Sequence, residues 1–352
     1  MPWLTSVLCR EVPGASVIDF EILGGSDGTS SRRQVVVRYN EAGTTAGLPT
    51  RLFTKSTPSF FSRMLLGLTD IAEGEATFYN HARPGLELRS PTSYYAGYDP
   101  RTHRSMAILE DLTERSWTFP NPLENLVSKS DAEDIVDTLA GYHAAFWDSP
   151  RFSHDLAALR RAEAWQQNLN RKVGFEKRTV AGFVRAEAVI PERLFARKSA
   201  FYPSFMASLA LHAATPSTLL HQDVHLGNWL RDETGRMGLY DWQCVAVGHW
   251  GLDLSYALTC ALTTDDRRNW EEMLLRRYAE RLRDFGVASA PSEQEVWQGY
   301  RQQPLHALAF GTFTLGGSRL EPELQPRAWT LEAIGRIARA VDDLGTLDVL
   351  GS

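Results

Sequence analysis

Residues Leu219 to Gln243, LLHQDVHLGNWLRDETGRMGLYDWQ, decide the reading of this chain. A short apolar lead ending at Leu220 delivers a polar loop that holds His221, Asp223, His225 and Asn228. A hairpin follows. Trp229 to Arg231 and Met237 to Tyr240 are strand-like, and Asp232-Glu233-Thr234-Gly235 between them supplies turn chemistry, with Gly235 free to take a positive φ. This fold-back is expected to return Asp241 to the neighbourhood of Asn228. Two carboxylates and an amide brought together in this way suit phosphoryl transfer. One carboxylate orients the attacking hydroxyl and accepts its proton, while the amide oxygen and the second carboxylate hold a metal that screens the phosphates. A zinc site built on His221, Asp223 and His225 would need further ligands at fitting spacing, and it leaves Asn228 and Asp241 unexplained.

The spacing His221-x-Asp223-x-x-x-x-Asn228 is that of the protein-kinase catalytic loop, with Asp241-Trp242-Gln243 where a D-F-G would stand. HQDVHLGN with YDWQ resembles the aminoglycoside phosphotransferase and choline kinase branch of the kinase-like fold, in which H-G-D-x-H-x-G-N and I-D-W are usual. Gln222 replaces the common Gly and Leu226 the common Pro. The resemblance implies an α+β, bilobed protein-kinase-like fold: a five-stranded antiparallel lobe over residues 1–112 and a mainly helical lobe over 113–352. It implies ATP (or GTP) and Mg²⁺, with Asp223 as base and Asn228 and Asp241 as metal ligands. His221 would give structural support, as would Asp253 in Gly-x-x-Asp-Leu, bracing the loop by hydrogen bonds.

Upstream, Val17 to Leu23, Gln34 to Tyr39 and Leu52 to Thr54 alternate like antiparallel strands around the turn Gly24-Gly25-Ser26-Asp27-Gly28-Thr29-Ser30. Backbone N–H groups at Gly25, Ser26 and Gly28 could approach phosphates closely. Lys55 ends the third strand. Its expected partner is Glu75, in a helical segment from Ala72 to Arg83 that carries the family's E-x-x-F-Y pattern. Glu73 is the competing choice, but two residues turn a helix by about 200°, so only one of the two can face Lys55. Leu88 to Tyr98 and Met106 to Leu109 read as two further strands. The resemblance makes Leu109-Glu110-Asp111-Leu112 the linker, with the Glu110 and Leu112 backbone pairing with adenine.

A length of 352 residues accommodates a bilobed enzyme, and a formal charge of −6 gives no general basic field for nucleic acid or an anionic membrane. No run approaches the roughly 20 apolar residues of a membrane span, and MPWLTSVLCREVPG lacks the order of a signal peptide. A cytoplasmic location with reduced thiols at Cys9, Cys244 and Cys260 is expected. Nothing in the sequence bears on oligomeric state.

From residue 113 the pattern turns helical. Ser130-Asp131-Ala132-Glu133 reads as a capping box before Ile135, Leu139, Tyr142, His143 and Phe146, with a stop at Asp148-Ser149-Pro150. His143 reads as a core histidine. Residues 156–215 interleave arginines and lysines, among them Arg160, Arg178, Arg193 and Lys198, with Trp165, Phe175, Phe183 and Phe195. Amphipathic helices are expected near 267–285, 292–314 and 326–345, where Trp297, Tyr300, Phe310 and Phe313 are core or acceptor-pocket aromatics. These features predict transfer of a γ-phosphate to a hydroxyl of a small molecule. If the basic segment walls the acceptor site, an antibiotic or other natural product, neutral or anionic, suits it better than a polycation. Aminoglycoside, choline and sugar kinases are the alternatives, and a nucleotide-binding pseudokinase is the rival of another class. A protein kinase fits less well because no D-F-G or A-P-E follows.

Overall fold

The computed structural model describes every residue except 28, 29, 61, 62, 65, 66, 68, 318–324 and 352. The chain divides into two compact units, one formed by Met1–Gly85 with Ser90–Trp117 and the other by Leu86–Arg89 with Thr118–Ser352.

The first unit opens with helix α1 (Pro2–Leu8), followed by strands β1 (Val17–Asp27), β2 (Ser31–Tyr39) and β3 (Arg51–Ser56). Helix α2 (Ile71–Thr77) continues into a π-helical turn, Phe78–Ala82, and strands β4 (Ser93–Asp99) and β5 (Arg104–Glu110) complete a five-stranded antiparallel sheet ordered β1-β2-β3-β5-β4. The period of two explains β2: Val35, Val37 and Tyr39 are buried with Leu8, Val17, Leu52 and Ile108, while the residues between them stay at least partly exposed. Two expected boundaries move. Gly24 to Asp27 belong to the β1–β2 ladder rather than to the turn, pairing in register from Gly24↔Gln34 to Asp27↔Ser31. Strand β4 starts at Ser93 rather than Leu88, because Leu86–Arg89 joins the second unit, where the Arg89 carbonyl accepts from Leu239 N–H (2.8 Å).

The second unit contains helices α3 (Lys129–Ala145), α4 (Ala162–Val173), α5 (Phe175–Arg185) and α6 (Lys198–Ala210). Two small antiparallel pairs follow, β6 (Ser217–Leu220) with β9 (Ala246–His249) and the hairpin β7 (Trp229–Arg231) with β8 (Met237–Leu239). Helices α7 (Gly251–Ala261), α8 (Thr264–Asp284), α9 (Glu293–Gln302), α10 (Leu305–Leu315) and α11 (Arg327–Asp343) complete it. Every residue of α7 is buried, which makes it the central helix of this unit. The capping box of α3 lies two residues earlier than expected, with Ser128 as N-cap and Asp131 as its reciprocal partner. Asp131 is held there because its carboxylate also receives Arg231 Nε (3.0 Å) and Nη2 (2.8 Å). The helix expected over 292–314 is two, broken at Gln303-Pro304, where proline has no N–H to continue the ladder and the Gln303 amide turns inward to the Ser208 carbonyl (2.9 Å). Helices α5 and α10 meet at small residues: a Cβ at Gly182 would collide with the Thr312 carbonyl, and one at Gly316 with that of Arg178.

Candidate functional site

The polar loop after β6 is held by its backbone. Asp253, fully buried on α7, accepts from His221 N–H through Oδ2 (2.7 Å) and from Gln222 N–H through Oδ1 (2.9 Å). Tyr142 of α3 donates its hydroxyl to the same carboxylate at 2.6 Å. Burial by itself would raise the Asp253 carboxyl, but the nearby His143 and His221 rings and the Tyr142 hydroxyl that donates to it outweigh burial and hold it below the ordinary value. His143 Nε2 stands 3.7 Å from Asp253 Oδ2, beyond hydrogen-bond reach, and burial lowers the His143 pKa, so the short N–H and O–H donors are the firmer support for the anion. His143 itself is a core histidine, with Nδ1 against the Tyr278 hydroxyl at 2.7 Å.

His221 ties the loop to the hairpin. Its Nδ1 accepts from Asp223 N–H (3.2 Å) and its Nε2 meets the Tyr240 carbonyl (2.9 Å). A carbonyl only accepts, so the proton of the neutral ring sits on Nε2. Burial lowers the His221 pKa and keeps the ring in that form. The Tyr240 N–H donates to the Asn228 carbonyl (3.0 Å), and its hydroxyl to the Gly227 carbonyl (2.6 Å). The hairpin thus returns Asp241 one residue past the rung that fixes Asn228. Asp241 adopts a left-handed backbone, φ 64°, as does Gln222 at the same φ. Asp is tolerated in that region better than Gln. Asn228 Nδ2 donates to the Asp223 carbonyl (2.7 Å) and, more weakly, to its Oδ2 (3.4 Å), and among the described residues Asn228 Oδ1 accepts no hydrogen bond.

In the first unit, Lys55 Nζ contacts Glu75 Oε1 at 2.8 Å with both side chains largely buried. Lys55 lies an odd number of residues from Leu52, so it projects from the opposite face of β3 to the α1-side core. Gly25 is required as glycine, because a Cβ there would collide with the Arg32 carbonyl. Ser26 follows it, and its carbonyl receives Arg33 Nη1 at 3.3 Å. Gly28, the third residue expected near phosphate, lies outside the described residues. At the end of β5, Glu110 N–H donates to the Thr92 carbonyl (2.8 Å), and Leu112 begins a short 3₁₀ turn.

Around Asp223, Tyr256 and His306 had no role assigned from the sequence, and His225 of the loop joins them there. Tyr256 Oη reaches Asp223 Oδ1 at 3.3 Å, His306 Nε2 reaches the Gln222 carbonyl at 2.9 Å, and His225 Nε2 stands 3.8 Å from Asp223 Oδ2. Tyr256 had a signal, since it sits one helical turn beyond Asp253. His306, eighty-four residues from Gln222, had none. Most aromatics singled out in residues 156–215 are structural. Trp165, Phe175 and Phe183 are core, with Phe175 stacked on Phe313 (4.7 Å) and Phe183 on Phe201 (4.5 Å). Four of the segment's arginines bind neighbouring elements: Arg178 the Phe313 carbonyl (2.9 Å), Arg185 the Leu315 carbonyl (2.6 Å), Arg193 Asp342 (2.7 Å) and Arg197 Asp348 (2.6 Å). Tyr300 is also core, fully buried with its hydroxyl on Glu271 (3.2 Å).

The phosphotransferase enzyme family matches residues 68–290, a span holding Glu75, the loop, Asp241 and Asp253. The chain belongs to this family. It is thereby a small-molecule kinase. None of the curated proteins compared matches its sequence. Among solved structures, choline kinase LicA from Streptococcus pneumoniae is 15% identical, over 98% of this chain and 97% of that chain, with a TM-score of 0.50. Choline kinase from Cryptosporidium parvum Iowa II is 12% identical over 99% and 97%, with a TM-score of 0.53. A microcompartment-associated aminopropanol kinase is 12% identical over 98% and 97%, with a TM-score of 0.52. What is shared at these identities is the protein-kinase-like fold. Among the described residues no helix is long and apolar enough to cross a membrane, and Cys9, Cys244 and Cys260 are buried and not in disulfides.

Proposed function

We propose that the protein transfers the γ-phosphoryl group of ATP to a hydroxyl of a small molecule, with Asp223 as the base. The acceptor oxygen attacks phosphorus as its proton passes to Asp223, and the bond to the β–γ bridging oxygen breaks to release ADP. Supporting this is the way the loop is fixed: Asp253 holds its backbone, His221 ties it to the hairpin, and Asn228 grips Asp223 from the side. A general base needs such a fixed position to work within hydrogen-bond reach of the proton it takes.

The donor set fits a magnesium ion shared with phosphates. Among the described residues Asn228 Oδ1 takes no hydrogen bond, Asp241 supplies a carboxylate, and Mg²⁺ commonly uses one or two protein ligands with phosphates and water completing its shell. Among the described residues no three His, Cys, Asp or Glu side chains form an all-protein metal cage, which also suits a shared rather than an enclosed ion. When bound, the ion would screen phosphate charge. Lys55, held by Glu75, would contact the α- and β-phosphates, with Gly25, Ser26 and Gly28 offering backbone N–H groups. The Glu110 carbonyl and Leu112 N–H would meet adenine.

For the acceptor, the excess of basic over acidic side chains in residues 156–215 favours a neutral or acidic hydroxyl compound over a polycation. The test is ADP release from Mg·ATP, with Mg·GTP in parallel, over a panel containing choline, 1-amino-2-propanol, kanamycin, a macrolide, a nucleoside and sugars. Turnover of a neutral hydroxyl compound that disappears in Asp223→Asn is the expected result. Higher kcat/KM on kanamycin would overturn the acceptor reading, and full turnover in Asp223→Asn the catalytic one.

A further inference from the structure

Asp223 is held at its backbone and at one edge of its side chain by groups already described, yet its Oδ1 has a different partner. Tyr256 lies on α7 three residues after Asp253, so both side chains leave the same face of the helix one turn apart. Asp253 grips the N–H groups of residues 221 and 222, and Tyr256 reaches the carboxylate of residue 223 at 3.3 Å. The tyrosine cannot drift. Its ring is 3% exposed, lies edge-on to His306 at 5.9 Å, and that histidine holds the Gln222 carbonyl at 2.9 Å. Three consecutive loop residues are therefore fixed from two helices, α7 and α10.

The hydroxyl itself asks for an explanation. A phenylalanine would fill the same apolar position without bringing a polar group that must be desolvated, so the Oη is accounted for by its hydrogen bond to Asp223. Burial, followed by the nearby Asp223 charge, raises the Tyr256 phenol well above its ordinary value, so it remains a neutral donor. A donor on Oδ1 leaves Oδ2, flanked by Asn228 Nδ2 at 3.4 Å, as the oxygen whose direction is set.

We propose that Tyr256 is the positioning residue of the transfer step, fixing the Asp223 carboxylate so that Oδ2 faces the acceptor hydroxyl; this rests on the reading of Asp223 as the base. The role is one of orientation. Tyr256 touches neither nucleotide nor acceptor, and it exchanges no proton with them.

The test compares the wild-type chain with Tyr256→Phe, which keeps the ring and removes one hydroxyl. Its first arm needs no acceptor: with aspartate labelled at the carboxyl carbon by ¹³C, the Asp223 resonance is assigned by its loss in Asp223→Asn. It is expected to move in Tyr256→Phe, and an unmoved resonance overturns the contact. The second arm measures phosphoryl transfer from Mg·ATP to the best acceptor of the panel above and, in every case, to water. Here kcat should fall about tenfold, the size expected for one hydrogen bond to a charged group, with KM for ATP unchanged. Unchanged kcat, or a KM for ATP that rises with the loss, overturns the positioning role. If Asp223→Asn keeps full turnover, the reading of Asp223 as base has failed instead, and a moved carboxyl resonance still records the contact. Melting within a degree or two of wild type in Tyr256→Phe assigns any kinetic loss to orientation rather than to unfolding.

Discussion

Replacing Asp253 with alanine should be among the most destabilising single changes in the second unit. The carboxylate accepts three buried donors at once: His221 N–H at 2.7 Å, Gln222 N–H at 2.9 Å and the Tyr142 hydroxyl at 2.6 Å. Its residue is 0% exposed, so water does not replace it. Each donor left buried without a partner costs about 1–3 kcal/mol. Three would give about 3–9 kcal/mol if nothing moved. Some relaxation of the loop brings the expected loss to about 4 kcal/mol, or roughly 8–16 °C in melting temperature for a domain of this size. Calorimetry and urea unfolding of wild type and Asp253→Ala measure it, with Asp253→Asn as the isosteric control. Asn keeps one acceptor oxygen but places an NH₂ against a donor, so it should lose about half as much. A loss below about 1 kcal/mol in the alanine variant would refute the bracing argument, because the loop donors must then find other partners.

Asp223→Ala should lower kcat by roughly 10²–10⁴-fold with little change in nucleotide affinity, measured by steady-state kinetics and ATP titration. Asp241→Asn should abolish the Mg²⁺ dependence of ATP binding, read by calorimetric titration with and without the metal. The Asp253 carboxyl lies below its ordinary 3.8 in the folded state, so its ionisation stabilises the fold above that pH, and the contribution is lost as pH falls through the lower folded value. The stability gap between wild type and Asp253→Ala should therefore hold at pH 5–8 and narrow below about pH 4, as followed by urea unfolding. Lys55→Met should raise KM for ATP and also destabilise the first unit, because it leaves Glu75, whose side chain is 14% exposed, without its 2.8 Å partner.

The sequence by itself determined what depends on neighbours along the chain. Turn chemistry at Asp232 to Gly235 set the β7–β8 hairpin, and the hairpin set Asp241 beside Asn228, because a short two-stranded fold-back leaves little freedom of register. Alternation set the strands, and the spacing from His221 to Asn228 put the Asp223 carboxylate and the Asn228 amide in one loop. The tertiary structure decided what depends on distant packing. The beginning of β4 moved because the Arg89 carbonyl is taken by Leu239 N–H of β8, far along the chain, and the α3 cap moved because Arg231 holds Asp131 from a hundred residues away. The break between α9 and α10 was local by contrast, since Pro304 has no N–H to continue the ladder. The supports of Asp223 divide in the same way. Asp253 and Tyr256 share a helix face that a sequence displays, but that this face meets residues 221 to 223 follows only from the burial of α7 in the middle of the second unit. His306 joins them from α10, and no local periodicity encodes which carbonyl a buried imidazole will find.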